Sequence, residues 1–293
     1  MTAIAAERPR ERRAFQPREA ARRGGVLLLV AAVLWGLWEG YRALWIAAGF
    51  TWPFAVDDTT MPHLHSIFRA LFEPSRVNGP LLVHVLFDAA LFTAKEAATG
   101  FALGATVGFA LAVVLAHSRL LQRGFLPYIV ASQTVPILAI APMVVVWLGS
   151  RNVPAWFSVA VIAAYLTFFP VTINALRGLQ SADPRALELM RSYAASRWAI
   201  LWRLRMPASL PYVFSALRVA ATGSVVGAIV GELPSSIQDG LGGAILNFAQ
   251  YYTFQPTNLW ATNVVAAALG IVFFVAVVVA ERLVVRRAPE NVA

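Results

Sequence analysis

The side chains with chemical potential are few, and their spacing suits little catalysis. His63 and His65 flank Leu64 in MPHLH and offer two imidazoles of the kind that ligate a metal. With no third ligand close by in the sequence, two such residues make a poor site. Asp57 and Asp58 read as a solvated turn. Glu232 closes an apolar stretch behind a run of spaced glycines, where an acid is ordinarily interfacial but can also meet a solute or hold a gate. The chain has no cysteine, which removes thiolate nucleophiles, disulfides and cysteine metal sites together. Its one lysine, Lys95, stands in LFTAKEA, and no G-x-x-x-x-G-K-[ST] occurs, so any ATP hydrolysis belongs to another chain. A membrane-embedded enzyme needs convergent nucleophile, base or metal groups. Four scattered histidines and boundary carboxylates do not supply them.

Small and kink-forming residues are spaced far more regularly. Gly100, Gly104 and Gly108 recur every fourth residue in GFALGATVG, and Gly223, Gly227 and Gly231 do the same in GSVVGAIVG. Such spacing cuts a groove along one helical face, which either packs tightly or lines a path. Between the two series, Gln133, Thr134 and Pro136, with Pro142 beyond, place a polar, bent patch inside an apolar run. A proline there removes a helical hydrogen bond, and the patch is either a packing kink or part of a path.

The elements that carry these residues are membrane spans. Of 293 residues 59% are apolar and 13% charged, and mean hydropathy is +0.65. Six segments approach the roughly 20 residues that cross hydrocarbon: about 25–47, 100–117, 127–149, 155–176, 211–233 and 258–281. Residues 82–99 predict a helix leading into the second span. The loop 234–257 lacks basic residues, holds Gly240, Gly242 and Gly243, and predicts a short re-entrant or surface helix. The expected organisation is a cytoplasmic tail over 1–24, a first span with its outer loop over 25–80, a helical core over 81–287 with a cytoplasmic loop at 177–210, and a short tail over 288–293. The fold class is all-α, polytopic.

With the N-terminus inside, 18 arginines fall on the cytoplasmic side and three (Arg69, Arg76, Arg151) outside. That asymmetry places both termini in the cytoplasm. Arg42, Lys95 and Arg218 lie in or against helices, where they snorkel or pair; Glu39 stands three residues before Arg42 and is the expected partner. A net charge of +9 does not point to nucleic acid, because the arginines flank apolar segments instead of lining one soluble face.

The 177–210 loop is too long to lack structure. Asp183 followed by Pro184 starts a helix over PRALELMRS, and Ser196 can cap a second, RWAILWRLR, before Pro207. In that second helix Trp198, Leu201, Trp202 and Arg205 share a face. Such a helix lies in lipid headgroups or fills a groove on a partner protein, and periodicity alone leans towards the lipid.

The stretch LELMRSYAASRWAILWRLRMPASLP resembles the cytoplasmic coupling motif, E-A-A-x-x-x-G with a proline-closed end, of the inner-membrane permease subunits of binding-protein-dependent ABC importers. Glu188, Leu189 and Met190 stand at its E-A-A, Ala194 at its glycine, and Pro207 and Pro211 at its end. An alanine in a left-handed turn would be strained. GFALG, PILAIAPMVVVWLG, FFPVTINALRGLQSADP and GAIVGEL are similar, in order, to the nitrate/sulfonate/taurine branch, from about residue 60 to 287. The resemblance implies a type I permease-like fold in the bacterial inner membrane, with no cofactor. It also implies cytoplasmic ABC ATPase subunits docked through Glu188, Leu189, Met190, Ala194, Ala195 and Trp198. Further implied partners are an extracytoplasmic solute-binding protein, a second permease (another copy in a homodimer, or a similar chain), and membrane lipid. The implied solute is a nitrate-, sulfonate- or taurine-like anion, or a vitamin-related heterocycle such as a thiamine pyrimidine precursor or riboflavin. A passive channel would explain the glycines but leave the loop without a role.

Overall fold

The computed structural model describes residues 17–52, 55–235 and 237–285. Most of the expected N-terminal tail, Arg286, Arg287 and the expected tail over 288–293 lie outside the described residues. Among those described, the chain is helical, with one isolated β-bridge between Pro74 and Leu81. It divides into two compact units at Ser66 and Ile67.

In the first unit α1 (Pro17–Ala48) contains the first candidate span, Gly24–Ala48, and its apolar side chains, among them Leu28, Leu34 and Leu44, are exposed. An apolar helix that finds no protein core needs a lipid one. Near its end Tyr41 stacks on Trp45, and the segment after the helix turns back, bonding Trp38 Nε1 to the Pro62 carbonyl.

The second unit begins within α2 (Leu64–Ala70) and is built around α6 (Ala155–Gln180), the most deeply buried of the spans, with α3 (Leu82–His117) and α9 (Met206–Glu232) packed on it. Glycines explain how closely. A Cβ on Gly100 would sit 2.5 Å from the Ala160 carbonyl oxygen, one on Gly104 would strike the Ala164 carbonyl, and one on Gly108 would come within 2.8 Å of Phe168 O. From the other side, a Cβ on Gly227 would lie 2.8 Å from Ala163 Cα, and one on Gly231 3.2 Å from Ile162 Cδ1. At Gly223 the approach is looser, 3.8 Å from Leu166 O. Both glycine series therefore face the same helix. Around them, Ala97, Val159, Ala163, Val225 and Ala228 fill one end of the core, and Leu115, Phe169, Leu176, Leu179 and Leu201 the other. The last span, α11 (Pro256–Val284), is joined to α9 by Arg218 and Glu281, 3.4 Å apart.

Among the described residues, five helices are long and apolar enough to cross a membrane, and a sixth crossing forms if one bent pair counts as a span. Three boundaries differ from those read in the sequence. The second span starts at Leu82 and not at residue 100. Asp88, Lys95 and Glu96 interrupt the apolar pattern, but no proline or glycine stands in 82–99 to interrupt the backbone, and α3 runs about 54 Å without a break. The third is no single kinked helix: α4 (Arg119–Ser132) and α5 (Ile137–Gly149) meet at 98°, with Pro136 capping α5. Pro127 and Pro142 lie inside helices, so proline alone did not mark the break.

The fifth span begins at Arg197, where Pro207 was expected to stop the preceding helix. Instead α8 (Arg197–Ile200) passes through a π turn, Leu201–Arg205, into α9. The Met206 N–H reaches back to the Leu201 carbonyl, and this wider turn opens the ladder where the proline ring must fit.

Candidate functional site

One end of the bundle carries the 184–205 segment. Asp183 accepts from the Arg185 N–H at 2.9 Å and Pro184 supplies the first helical residue, so α7 (Pro184–Ser192) starts sharply. It ends on Ala194 at φ +53°. Ala194 N–H bonds to Arg191 O at 2.9 Å and Ala195 N–H to Met190 O at 3.0 Å, the paired closure of a Schellman turn. Ser196 then caps α8 by accepting from Ala199 N–H at 3.2 Å.

Two residues key this segment to the spans. Leu201 is buried against Leu115 and Leu179, and the Arg205 guanidinium donates to Ala116 O at 3.1 Å, where the carbonyl end of α3 favours a cation. Beside them Ala116, Arg119, Gln122, Glu188, Arg191 and Arg205 line a recess of about 560 Å³. Glu188 is exposed on it. Outward from the same segment stand Leu189, Tyr193, Trp198 and Trp202, at 57%, 79%, 65% and 60% exposure. Large apolar side chains exposed on a polar segment are of the kind that a protein or lipid surface covers. The His117 ring stands beside Trp198, 6.0 Å between centroids.

At the opposite end of α3 and α9, Glu232 is wholly buried and serves as a structural cap. Its carboxylate accepts from Thr93 Oγ1 at 2.6 Å and from Gly242 N–H, and Thr93 in turn accepts from Leu241 N–H at 2.9 Å. The first amides of α10 (Leu241–Gln250) are thus held by α9 and α3. Glycine is required here, since a Cβ on Gly240 would fall on the carboxylate. Glu96, also wholly buried, lies against Glu232, with neither oxygen closing a well-formed hydrogen bond. The sequence reading missed Thr93 and Glu96, although Glu96 stands one turn before Gly100 on the packed face. Lys95 points away, its Nζ 4.2 Å above the Trp156 ring. Beside α10 opens a recess of about 830 Å³.

Gln133 and Thr134 lie at the α4/α5 break and are exposed, with Thr134 Oγ1 bonded to Ala131 O. The Ser132 carbonyl at the end of α4 accepts from Tyr165 Oη at 2.5 Å and from Val135 N–H at 3.3 Å.

In the first unit a third possible ligand does join the histidines, for Glu39, His63 and His65 come together. Their contacts argue against a cation. His63 Nδ1 donates to Glu39 at 2.7 Å, and its Nε2 meets the Arg42 guanidinium at 2.6 Å. With both ring nitrogens occupied and a fixed positive charge alongside, a metal would have to displace Arg42. Arg42 also binds Met61 O and Asp58, so its carboxylate is Asp58 and not Glu39 as expected. Asp57 caps the turn instead, and the Thr60 and Thr59 backbone N–H groups and the Thr60 hydroxyl hold it below the usual carboxylate range.

The described residues form a bundle of membrane-length helices with a structured segment at one end and a capped short helix at the other. Residues 104–289 match the family model described as binding-protein-dependent transport system inner membrane component, and the chain belongs to that family. It is 34% identical over 178 residues to the formylaminopyrimidine transport permease protein ThiX of Halalkalibacterium halodurans, covering 61% of this chain and 68% of that one. It is 30% identical over 202 residues to the riboflavin transport system permease protein RibX of Chloroflexus aurantiacus, covering 69% and 73%. Permeases for aliphatic sulfonates, taurine and nitrate match as well, which places the chain near that branch. Among solved structures, an amino acid ABC transporter crystallised with histidines aligns at TM-score 0.52 and 17% identity, over 70% of this chain and 95% of that one, and shares the fold. The chain is accordingly an inner-membrane, multi-pass transport subunit of an ABC importer, not an enzyme.

Proposed function

We propose that this chain forms the path for a small solute as a homodimer with both termini in the cytoplasm, and that ATPase subunits drive it through the 184–205 segment. The observation that carries the reading is the exposure of Leu189, Tyr193, Trp198 and Trp202 on a segment keyed to the spans by Leu201 and Arg205. A segment rigidly tied to α3 and continuous with α9 can pass an ATPase movement to the spans. A loop that merely rests on lipid needs no such tie. Alternating access follows when nucleotide and solute each favour one of two arrangements. In this reading Gly100, Gly104, Gly108, Gly227 and Gly231 form the close-packed surfaces across which α3, α6 and α9 act, and Gln133, Thr134 and Pro136 face the second copy near the path. Glu232 steadies the end that receives the external binding protein.

For the solute, the similarity to the formylaminopyrimidine and riboflavin permeases favours a vitamin-related heterocycle over a sulfonate-like anion. The test is uptake by the complete system in proteoliposomes. ATP-dependent, binding-protein-dependent accumulation supports the reading. Equilibration without nucleotide would instead mean a channel, and chemical conversion of the solute an enzyme.

A further inference from the structure

The 830 Å³ recess lies between the first turns of α3 and one face of α10, where Asn247 and Tyr251 follow each other at one-turn spacing. Its size is that of a small-molecule site. Its floor is built and not incidental, because α10 is fixed by the buried Glu232 carboxylate and by Thr93. Phe248, 8% exposed, supplies an apolar base, with the Tyr251 ring at the edge.

The polar lining has a definite sign. The lining holds two carboxylates, Asp88 and Asp239, and one guanidinium, Arg76. Among the described residues neither carboxylate has a hydrogen bond or ion pair, and the Asn247 amide has none either. A sulfonate or nitrate entering here would meet two like charges. A planar ring bearing N–H groups would find carboxylate acceptors, an amide able to both donate and accept, and aromatic faces to stack on.

We propose that this recess is a reception site for an amino-substituted nitrogen heterocycle, held by Asp88, Asp239 and Asn247 and stacked on Tyr251, and that it excludes sulfonate-type anions. The proposal rests on the importer reading and adds to it a place on this chain where the solute is received.

The chain's lack of cysteine makes the test direct. Val77 lines the rim and is 93% exposed, so Val77→Cys in the full-length permease in proteoliposomes should react readily with a maleimide. Addition of 4-aminopyrimidine should slow the reaction about threefold when the probe stands at roughly twice its Kd. Ethanesulfonate should leave the rate unchanged. Adding Asp88→Asn should weaken the protection by about tenfold in probe concentration, and Asp239→Asn should act in the same direction. Both positions are exposed, and an unchanged labelling rate without probe would show the recess intact. Protection by ethanesulfonate, no protection by 4-aminopyrimidine, or protection that survives both substitutions would overturn the proposal. Co-purification of the ATPase reports on the importer reading separately. Docking with failed protection overturns the recess alone, whereas lost docking in the parent protein overturns the importer reading whatever the labelling shows.

Discussion

Ala194 occupies a left-handed backbone conformation, φ +53°, that an alanine adopts only at a cost. The Cβ of an L-residue there approaches its own carbonyl, at roughly 1–2 kcal/mol. Replacement by glycine removes that cost, but the unfolded or frayed glycine gains backbone freedom, which returns about 0.5–1 kcal/mol. The net expectation for Ala194→Gly is a gain of about 0.5–1 kcal/mol in closure of the α7 end, which is a factor of about two to five in the equilibrium. The closed state is the one in which Ala195 N–H reaches Met190 O and Ala194 N–H reaches Arg191 O. Hydrogen exchange at the Ala195 amide in the full-length protein in nanodiscs should therefore slow by about that factor. Ala194→Val, with a branched Cβ, should speed it. Exchange that is unchanged in the glycine variant, or faster, would refute the left-handed closure and the strain argument built on it.

Other substitutions test the packing, the capping and the topology. Gly104→Ala drives a Cβ into the Ala164 carbonyl and to 2.6 Å from Thr167 Cβ, and should lower stability in thermal unfolding by about 1–3 kcal/mol, while Gly124→Ala, with nothing within 4 Å, should be near neutral. Glu232→Leu leaves Thr93 and the Gly242 N–H unpaired at about 1–3 kcal/mol each, so exchange across 241–250 should accelerate; Glu232→Gln keeps an acceptor and should be milder. Impermeant thiol reagents applied to intact cells should label Thr60→Cys and Gln238→Cys and spare Leu120→Cys and Tyr193→Cys; labelling of the Tyr193 position from outside would reverse the orientation.

Much of the 184–205 end was legible because its signals are local. Asp183-Pro184 and Ser196 each bond within three residues, so their caps appear where the sequence places them. The glycine series was legible as a groove but not as to which helix fills it, since spacing describes one surface and α6 supplies the other. Pro207 misled because the rule against helical proline assumes a regular ladder, and the π turn before it is not regular. The Glu232 cap could not be read at all, because Thr93 and Gly242 come from segments 139 and 10 residues away, brought together only by packing of α3, α9 and α10. The Glu39, Arg42 and Asp58 pairing failed for the same reason: proximity along α1 named one partner, and the chain turning back supplied another.

The central claim is that the 184–205 segment docks an ATPase, and Trp198 tests it most directly. It is 65% exposed in the isolated chain, so Trp198→Asp should leave the spans folded. If the ring is covered by a partner, its burial contributes about 1.5–3 kcal/mol, and a carboxylate in its place should weaken docking by at least about tenfold. The measurement is co-purification of the ATPase with the full-length variant, read together with solute-stimulated ATP hydrolysis after reconstitution, with Glu188→Lys as a second variant. The account predicts that both readouts fall while the permease remains monodisperse. Docking and hydrolysis at the parent level in both variants would contradict it and leave the segment resting on lipid.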